Sequence, residues 1–499
     1  MSPDRLKLRR MGIDSYLEPV VFMRRDCPVC RAEGFEVRSR VQINLNGRSL
    51  VALLNVVDGP LLEPGEAGLS EIAWERLGAK AGDLARFSHP PPLESFRYVR
   101  AKLYGVPFTD AAAREVMRDV ADGRYSEVRI AALLSACAAE RLSEGEIAAI
   151  TRAMIASGET LDWGAGPVVD KHCVGGLPGN RTTLIVVPIV AAAGLRIPKT
   201  SSRSITSPAG TADTMETLAP VVLDLPAMRR VVEREGGCIV WGGAARLSPA
   251  DDLLIRVERT LDIDSGGQLV ASVLSKKVAA GATHVVIDIP VGPTAKVRDE
   301  AAAARLHRDL DAVGRAVGIN VHCVTSDGRQ PVGRGIGPAL EARDVLAVLR
   351  GDADAPADLR ARALTLAGRV LEFSPEIPAG TGAARAAEIL ADGRAWKKFQ
   401  AIAQAQGGLR EPPLARYREP VIAPRTGRIT AIDNRRLARV AKFAGAPHDP
   451  AAGIEMRHGL GAGVARGEPL FILHADSSGE LRYAQQFLEA NPGIIEVTP

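Results

Sequence analysis

Apolar and polar residues alternate with a period of two in the N-terminal part of the chain. The alternation covers residues 41–45, Asn46-Gly47 follows as a turn, and a second apolar run covers 50–53. A period of two is typical of a half-buried strand, and Asn-Gly is a frequent two-residue hairpin turn. The pattern predicts a β-rich N-terminal domain over 1–90, which ends at the stiff segment His89-Pro90-Pro91-Pro92.

The spacing of apolar residues becomes helical in two separate stretches, 93–160 and 248–281. In the first stretch, Ser143 stands three residues before Glu146, which is the spacing of a helix capping box. The second stretch interrupts a region in which short strand patterns alternate with helical patterns. We therefore expect the two stretches to form one helical domain.

Short runs of apolar and β-branched residues alternate with helical patterns in the rest of the chain. The clearest runs cover 237–241, 284–289 and 320–324, with Gly, Pro or Ser close behind each. Strands that alternate with helices are typical of a largely parallel sheet. The pattern predicts an α/β domain over residues 165–247 and 282–411. Strand patterns around a helical pattern predict a C-terminal α+β domain over 412–499.

Composition and charge restrict the class of protein. The 499 residues carry a net charge of +4, and aromatic residues make up 4% of the chain. This charge is too balanced to indicate nucleic-acid or membrane binding, and so few aromatic residues argue against a stacking platform for single strands. The longest apolar run, 184–195, is shorter than the roughly 18 residues of a membrane span. The six cysteines form no dense framework, so we expect a cytoplasmic protein.

The first candidate for chemistry is the segment 170–180, which reads Asp-Lys-His-Cys-Val-Gly-Gly-Leu-Pro-Gly-Asn. It follows a predicted strand at 167–169 and precedes a predicted helix at 182–193. Glycines let backbone N–H groups approach an anion, and a helix N-terminus favours negative charge. Lys171 adds a full positive charge, so we interpret the segment as an anion site. An ordinary turn between strand and helix is the alternative.

The second candidate is the segment 200–211, which is rich in hydroxyl side chains and contains Arg203. Hydroxyl and guanidinium groups are good phosphate ligands. A predicted strand at 195–198 precedes it, so both candidate segments would lie at the carboxyl edge of one sheet, where open α/β folds bind ligands. A polar surface loop is the alternative.

The third candidate lies in the second helical stretch. Ser272 and Lys276 are four residues apart, so they share one face of a helix and could contact the polar edge of a base. A solvated helix face is the alternative. Asp264 is a candidate proton donor, and on composition alone it competes with three other carboxylates: Asp251, Asp252 and Asp262.

Weaker motifs carry no predicted function. The pair Cys27 and Cys30 has no second Cys or His pair at zinc spacing nearby, so no metal site is predicted. The glycine-rich segments 333–337 and 459–463 lack the strand–GxGxxG–helix context of a dinucleotide site, so we interpret them as turns.

Four segments together resemble the thymidine phosphorylase family: 170–176, 202–213, 271–277 and 293–296. The resemblance covers roughly residues 93–499. The additional N-terminal domain, the turn at 177–180 and the segment 205–208 are closer to the long branch of the family. That branch contains archaeal AMP phosphorylases and bacterial proteins named putative thymidine phosphorylases.

The resemblance implies a pyrimidine nucleoside phosphorylase-like α/β fold, in which a small helical domain and a larger α/β domain enclose a cleft. It implies reversible phosphorolysis, in which inorganic phosphate attacks C1′ of the sugar and the base leaves. Such a pentosyltransferase releases a free base and a ribose or deoxyribose phosphate, with phosphate as co-substrate and no cofactor. It also implies a homodimer or a higher homo-oligomer.

The resemblance assigns roles to single residues. The phosphate ligands would be Lys171, Thr183, Ser201 and Thr211. The nucleotide-binding positions of the long branch would be Gly176, Ser202, Arg203, Ser204, Ile205, Thr206, Ser207, Thr211, Ser272 and Lys296. Asp264 would donate the proton, and His172 and Lys276 match base-contacting positions of the short thymidine enzymes.

Two positions depart from the family pattern. Cys173 replaces a serine that helps to hold phosphate, and a thiol is a weaker hydrogen-bonding group. Val257 stands near the position of an arginine that contacts the pyrimidine in short members. The substrate therefore stays open between a nucleoside 5′-monophosphate (AMP, CMP or UMP) and thymidine or another pyrimidine nucleoside.

Two other functions remain possible from the sequence. A Mg-dependent phosphoribosyltransferase of related fold could use Asp251-Asp252 as metal ligands, although a helix N-cap is the more ordinary role for them. A non-catalytic nucleotide-binding protein could share the same scaffold, and Cys173 favours it. Activity in EDTA with free phosphate, and release of free base, distinguish these functions from phosphorolysis.

Overall fold

The computed structural model describes residues 5–16, 18–138, 141–204, 207–243, 247–261 and 265–499. The chain divides into two compact units. The first comprises Met1–Arg97 with Asp122–Ser126, and the second comprises Tyr98–Ala121 with Glu127–Pro499. Among the described residues, no helix is both long enough and apolar enough to cross a membrane.

The first unit is built around a closed β-barrel. Its strands and helices are β1 (Arg5–Arg10), β2 (Val20–Arg24), α1 (Pro28–Glu33), β3 (Arg40–Leu45), β4 (Arg48–Val57), β5 (Glu66–Leu69), α2 (Glu71–Leu77) and β6 (Leu84–Ser88). The barrel order is β1-β5-β2-β4-β3-β6. Asn46 and Gly47 both have positive φ, 49° and 81°, so they form the predicted hairpin turn between β3 and β4.

The remaining elements fall into three groups along the chain. The first group is α3 (Phe96–Leu103), α4 (Asp110–Ala121), α5 (Glu127–Cys137), α6 (Glu144–Ala156), β7 (Val169–Cys173), α7 (Thr183–Ala192), β8 (Ile197–Ser201), α8 (Thr211–Glu216), α9 (Leu225–Glu235) and β9 (Gly237–Trp241). The second is α10 (Pro249–Leu261), α11 (Gly266–Ala279), β10 (His284–Val291), α12 (Glu300–Val317), β11 (Asn320–Asp327), β12 (Gly335–Ile336), α13 (Pro338–Arg350), α14 (Ala357–Leu371), α15 (Gly382–Ala391) and α16 (Arg394–Gln406). The third is β13 (Tyr417–Ile422), β14 (Gly427–Ile432), α17 (Asn434–Phe443), β15 (Gly453–Met456), β16 (Gly463–Val464), β17 (Pro469–Ala475), α18 (Ser478–Ala490) and β18 (Ile495–Thr498).

Helices from two separate stretches of the chain pack together. Helix α10 packs on α4 and α5, and α11 packs on α6. Ser143 and Glu146 form the predicted capping box at the start of α6. The second stretch therefore returns to the helical domain and leaves it again at β10.

Parallel strands form the centre of the α/β domain. One sheet has the order β11-β10-β7, and β8 pairs with β9 in a second. A bridge between Val168 and Arg196 joins the start of β7 to that of β8. Helix α7 lies in the core with its apolar residues from Leu184 to Val190 at 0% exposure, because this helix is apolar on every side. The carboxyl ends of β7, β8 and β10 consequently lie side by side.

The C-terminal residues form a separate α+β layer with its own core. One sheet has the order β12-β15-β17-β13 and another the order β16-β14-β18, and both pack with α17 and α18. The glycine-rich segment at 333–337, which the sequence predicts to be a turn, contains β12. Asn434 at the start of α17 is fully buried and donates from Nδ2 to the backbone O of Gly328 at 2.9 Å.

Candidate functional site

The first candidate segment begins within a strand and not after it. The sequence predicts a strand at 167–169, but β7 covers Val169–Cys173, so Asp170, Lys171 and His172 are strand residues. The prediction is wrong because charged residues such as Asp170 and Lys171 are not expected within a buried strand. Here Asp170 and Lys171 are at 0% exposure, and other residues of the fold supply their partners.

Asp170 holds two lysines that come from different elements. Its Oδ1 lies 3.0 Å from Nζ of Lys199 on β8, and its Oδ2 lies 2.7 Å from Nζ of Lys277 on α11. Burial opposes the ionisation of Asp170, but the two lysines outweigh it and lower its pKa. This buried cluster connects the sheet to α11, the helix that carries Ser272 and Lys276.

Lys171 is a buried cation that has no carboxylate partner in the described part of the chain. Its Nζ donates to Oγ1 of Thr182 at 2.6 Å, and among the described residues it has no ion pair within 4 Å. Burial lowers the pKa of Lys171. The charge of Asp288 opposes this shift without forming an ion pair, so a bound anion would give the buried ammonium a countercharge in direct contact. Thr183 begins the buried helix α7.

The glycine-rich turn that follows β7 lies against the loop that follows β10. Gly175 and Gly176 have φ of 91° and 80°. A Cβ at Gly176 would lie 2.4 Å from the backbone N of Lys296, so only glycine allows this approach. The turn therefore places Lys296 beside the end of β7.

Cys173 takes part in a polar network at the end of β7. Asn180 donates from Nδ2 to Cys173 Sγ at 3.2 Å and to Asp288 Oδ2 at 3.1 Å. Burial raises the pKa of Cys173 to about 11, so the thiol is neutral at physiological pH. A neutral thiol adds no charge to the surroundings of Lys171.

Arg181 joins the first candidate segment to the second. Its Nη1 donates to Thr211 Oγ1 at 3.2 Å, and its Nη2 donates to the backbone O of Ala209 at 2.8 Å. Its Nε binds Glu341, whose side chain is fully buried. The two segments are therefore neighbours in space, as their positions after adjacent strands predict.

Asp213 organises the second segment from the start of α8. Its Oδ2 accepts hydrogen bonds from the backbone N of Ser204 at 2.7 Å and of Gly210 at 2.8 Å. Arg203 donates to Asp213 and to Glu216, and its guanidinium lies 5.1 Å from the centre of the Trp241 ring.

The other predicted residues of the second segment lie in the same loop. Ser201 ends β8, Ser202 comes next, and the side chains of Ser204 and Ser207 donate to the backbone O of Ser207 and of Ala209. Ile205 and Thr206 lie outside the described residues. Ser201 ends β8, which lies beside β7, and Thr211 contacts Arg181, so both lie near the segment that follows Lys171.

The third candidate pair lies on one face of α11, and both side chains contact Asp251. Ser272 donates from Oγ to Asp251 Oδ2 at 3.0 Å, and Lys276 forms an ion pair with the same oxygen. The Asp251 side chain is at 0% exposure, while the Lys276 side chain is 22% exposed. Burial raises the pKa of the neighbouring Asp252 to about 6. Asp264 lies outside the described residues.

Several site residues are absent from the sequence-based prediction. Lys199 and Arg181 stand within runs that give no signal of a shared site, and Lys277 lies in the segment 271–277 but has no role in the sequence-based prediction. Asp213 is the exception. It is an acidic residue in the first turn of a helix that follows Gly210, and this start signal could have indicated that its carboxylate binds the backbone of the loop.

His172 makes the stability of the protein sensitive to acid. Burial, together with Lys277, Lys199, Lys171 and Lys276, lowers the pKa of His172 well below 6.5. Below about pH 6.5 the unfolded chain therefore binds a proton that the folded chain does not, and the free energy of unfolding falls as the pH falls. We expect the decrease in Tm between pH 7.5 and 5.5 to be smaller in His172→Asn than in the wild type.

Scanning calorimetry at both pH values measures this effect. The matched control is His307→Asn, because His307 is exposed on α12. This variant should retain the pH dependence of the wild type. Equal pH dependence in the wild type and in His172→Asn would contradict the assignment.

Comparison with known proteins places this site in a family. Residues 97–158 match the family model "Glycosyl transferase family, helical bundle domain", and residues 165–396 match "Glycosyl transferase family, a/b domain". Residues 428–494 match "Pyrimidine nucleoside phosphorylase C-terminal domain". These matches define a glycosyl transferase of the pentosyltransferase class.

Individual relatives agree with the domain matches. A protein of Polaromonas sp. (strain JS666 / ATCC BAA-500) named "Putative thymidine phosphorylase" is 62% identical over 497 residues, which cover 100% of this chain and 97% of the relative. A protein of the same name from Legionella pneumophila (strain Paris) is 59% identical and covers 98% and 95%. The chain belongs to the thymidine phosphorylase family.

A solved structure supports the fold alone. Anthranilate phosphoribosyltransferase from Thermus thermophilus superposes with a TM-score of 0.52 at 23% identity, over 62% of this chain and 98% of that chain. The pyrimidine nucleoside phosphorylase-like architecture that the sequence predicts is confirmed by these matches.

Proposed function

We propose that this protein catalyses phosphorolysis of an N-glycosidic bond, with inorganic phosphate as co-substrate and a free base and a pentose phosphate as products. The observation that carries the proposal is the buried Lys171 ammonium, which has no carboxylate partner among the described residues. Thr183 begins α7, Ser201 ends β8 and Thr211 begins α8, and we assign their hydroxyl groups as phosphate donors on the basis of the family resemblance. The names of the relatives support the same reaction.

The chemistry of the bond explains what the site must do. When the N-glycosidic bond breaks, positive charge develops on the sugar and negative charge on the base. A phosphate held by Lys171 is the nucleophile and also stabilises the developing cation, while its fixed position lowers the entropic cost of attack. The neutral imidazole of His172 can hydrogen-bond to a base without adding charge.

The finer proposal is that the substrate is a nucleoside 5′-monophosphate (AMP, CMP or UMP), with thymidine or another pyrimidine nucleoside as the second candidate. Val257 stands near the position of the arginine that contacts the pyrimidine in short members, and it is buried in α10. Lys276 is already paired with Asp251, which leaves less of its charge for a thymine carbonyl. Both features favour a substrate other than thymidine.

We further propose Asp264 as the proton donor to the leaving base, on the basis of the family resemblance. Protonation of a leaving group by a positioned acid typically accelerates a reaction by about 10²–10⁴-fold. Asp264→Asn should therefore bind substrate normally and turn over slowly. Single-turnover kinetics check this, and the matched control is Asp252→Asn, because the raised pKa of Asp252 makes it the competing acid. If Asp252→Asn turned over slowly and Asp264→Asn turned over at the normal rate, Asp252 would be the proton donor instead of Asp264.

One assay tests the proposed function directly. The purified protein is incubated with phosphate and, separately, with AMP, CMP, UMP, thymidine and uridine, and the free base is measured with and without EDTA. We expect base release that requires phosphate and persists in EDTA. Base release that requires a diphosphate sugar or Mg²⁺ would favour a phosphoribosyltransferase, and binding without any base release would favour a nucleotide-binding protein.

A further inference from the structure

A basic pocket lies between the loop that follows β10 and the helix α17. Four arginines line it, namely Arg298, Arg435, Arg436 and Arg439, and Pro293, Thr294 and Asp433 complete the wall. The sequence-based candidates include none of these arginines. The pocket is a second concentration of positive charge besides the one around Lys171.

The positive charge of this pocket is largely uncompensated. Asp433 is the one carboxylate in its wall, and Oδ1 of this residue accepts hydrogen bonds from the backbone N of Arg435 and of Arg436 at 3.0 Å each. Its Oδ2 lies 3.5 Å from Nε of Arg436. Among the described residues, no carboxylate lies within 4 Å of a guanidinium nitrogen of Arg298, Arg435 or Arg439. Three guanidinium groups are thus available to an anion.

The fold places the start of α17 beside the loops that follow β10 and β11, and the arginines of the pocket extend from these segments with exposed side chains. Asn434 is held at the start of α17, since its Nδ2 donates to the backbone O of Gly328, just after β11, at 2.9 Å. Its backbone N donates to Thr294 Oγ1, after β10, at 3.1 Å. Two residues beyond Thr294, the backbone of Lys296 lies against Gly176. The pocket is therefore adjacent to the turn that follows Lys171.

We propose that this pocket binds the 5′-phosphate of the substrate through Arg298, Arg435 and Arg439. The inference rests on the proposed function. If the pocket binds a phosphate group of the substrate, the substrate is a phosphomonoester and not a nucleoside. Guanidinium groups bind phosphate oxygens in pairs and carry their charge at every physiological pH, so they suit a phosphomonoester dianion.

Equilibrium binding tests the pocket independently of catalysis. Isothermal titration without inorganic phosphate compares AMP with adenosine, CMP with cytidine and UMP with uridine, for the wild type and for Arg298→Gln/Arg435→Gln. We expect the wild type to bind at least one nucleotide about 10–100-fold more tightly than its nucleoside, and the double variant to lose most of that preference. Arg482→Gln, at an exposed arginine of α18, is the matched control and should keep the wild-type preference.

The outcomes separate this inference from the proposed function. A wild type that binds nucleosides as tightly as nucleotides, or a double variant that keeps the full preference, overturns the phosphate pocket even if phosphorolysis occurs. A preference that disappears in the double variant supports the pocket even if no base is released. Base release that does not require phosphate would contradict phosphorolysis but would leave the phosphate pocket unaffected.

Discussion

Lys171→Met should lower kcat/KM for phosphorolysis by about 10²–10³-fold, because a desolvated cation that faces the reacting phosphate contributes roughly 3–4 kcal/mol to transition-state stabilisation. Methionine keeps most of the volume of the fully buried lysine side chain, so it avoids the cavity that alanine would leave. The variant also removes a buried charge that forms no ion pair with a described residue, and its stability should therefore stay close to that of the wild type. Steady-state kinetics with varied phosphate concentration measure the effect.

The design of this experiment depends on two comparisons. Lys397→Met, at an exposed lysine of α16, is the matched control and should retain full activity. Thermal unfolding of Lys171→Met checks that the loss is not a loss of fold. A folded Lys171→Met with near-normal activity and an unchanged KM for phosphate would remove Lys171 from the anion site.

Local patterns were sufficient to predict most of the fold. The Asn46-Gly47 turn and the Ser143 capping box depend on neighbouring residues, and each appears in the structure. The β-branched run at 284–289 lies within β10 for the same reason. Periodicity and turn chemistry are properties of short segments, so a single sequence carries them.

The partners within the candidate site could not be predicted in this way. Asp170 contacts Lys199 on β8 and Lys277 on α11, both far away along the chain, and no local pattern specifies such pairs. The sequence also gives no sign that Lys276 is bound to Asp251, so its predicted role as a base contact was assigned without regard to that ion pair. Side-chain pairing is a tertiary property, and it determines which charges of the site are available to a ligand.

Asp170→Asn should be the most destabilising of the conservative substitutions in the site, by about 3–5 kcal/mol, because it leaves two buried ammonium groups without their carboxylate. Lys199 and Lys277 would then face each other without compensation. Burial lowers the pKa of Lys277 to about 7, although Asp170 opposes this shift. Removal of Asp170 lowers the pKa of Lys277 further, so in the folded variant Lys277 loses its proton at a lower pH than in the wild type, and part of the repulsion disappears. Asp170→Asn should therefore cost less stability at pH 7.5 than at pH 5.5. Chemical denaturation at both pH values measures the free energy of unfolding.

A second substitution distinguishes charge balance from simple loss of packing. Lys277→Met in the Asp170→Asn background removes one of the two uncompensated cations, so the double variant should be less destabilised than the sum of the two single variants. Asp311→Asn is the surface control, because Asp311 pairs with Arg315 on α12 with both side chains exposed, and such pairs contribute only about 0–1 kcal/mol. Strictly additive losses would mean that Asp170 does not hold the two lysines through charge. Because Lys277 also attaches α11 to the sheet, a rescued double variant should recover stability without recovering full activity.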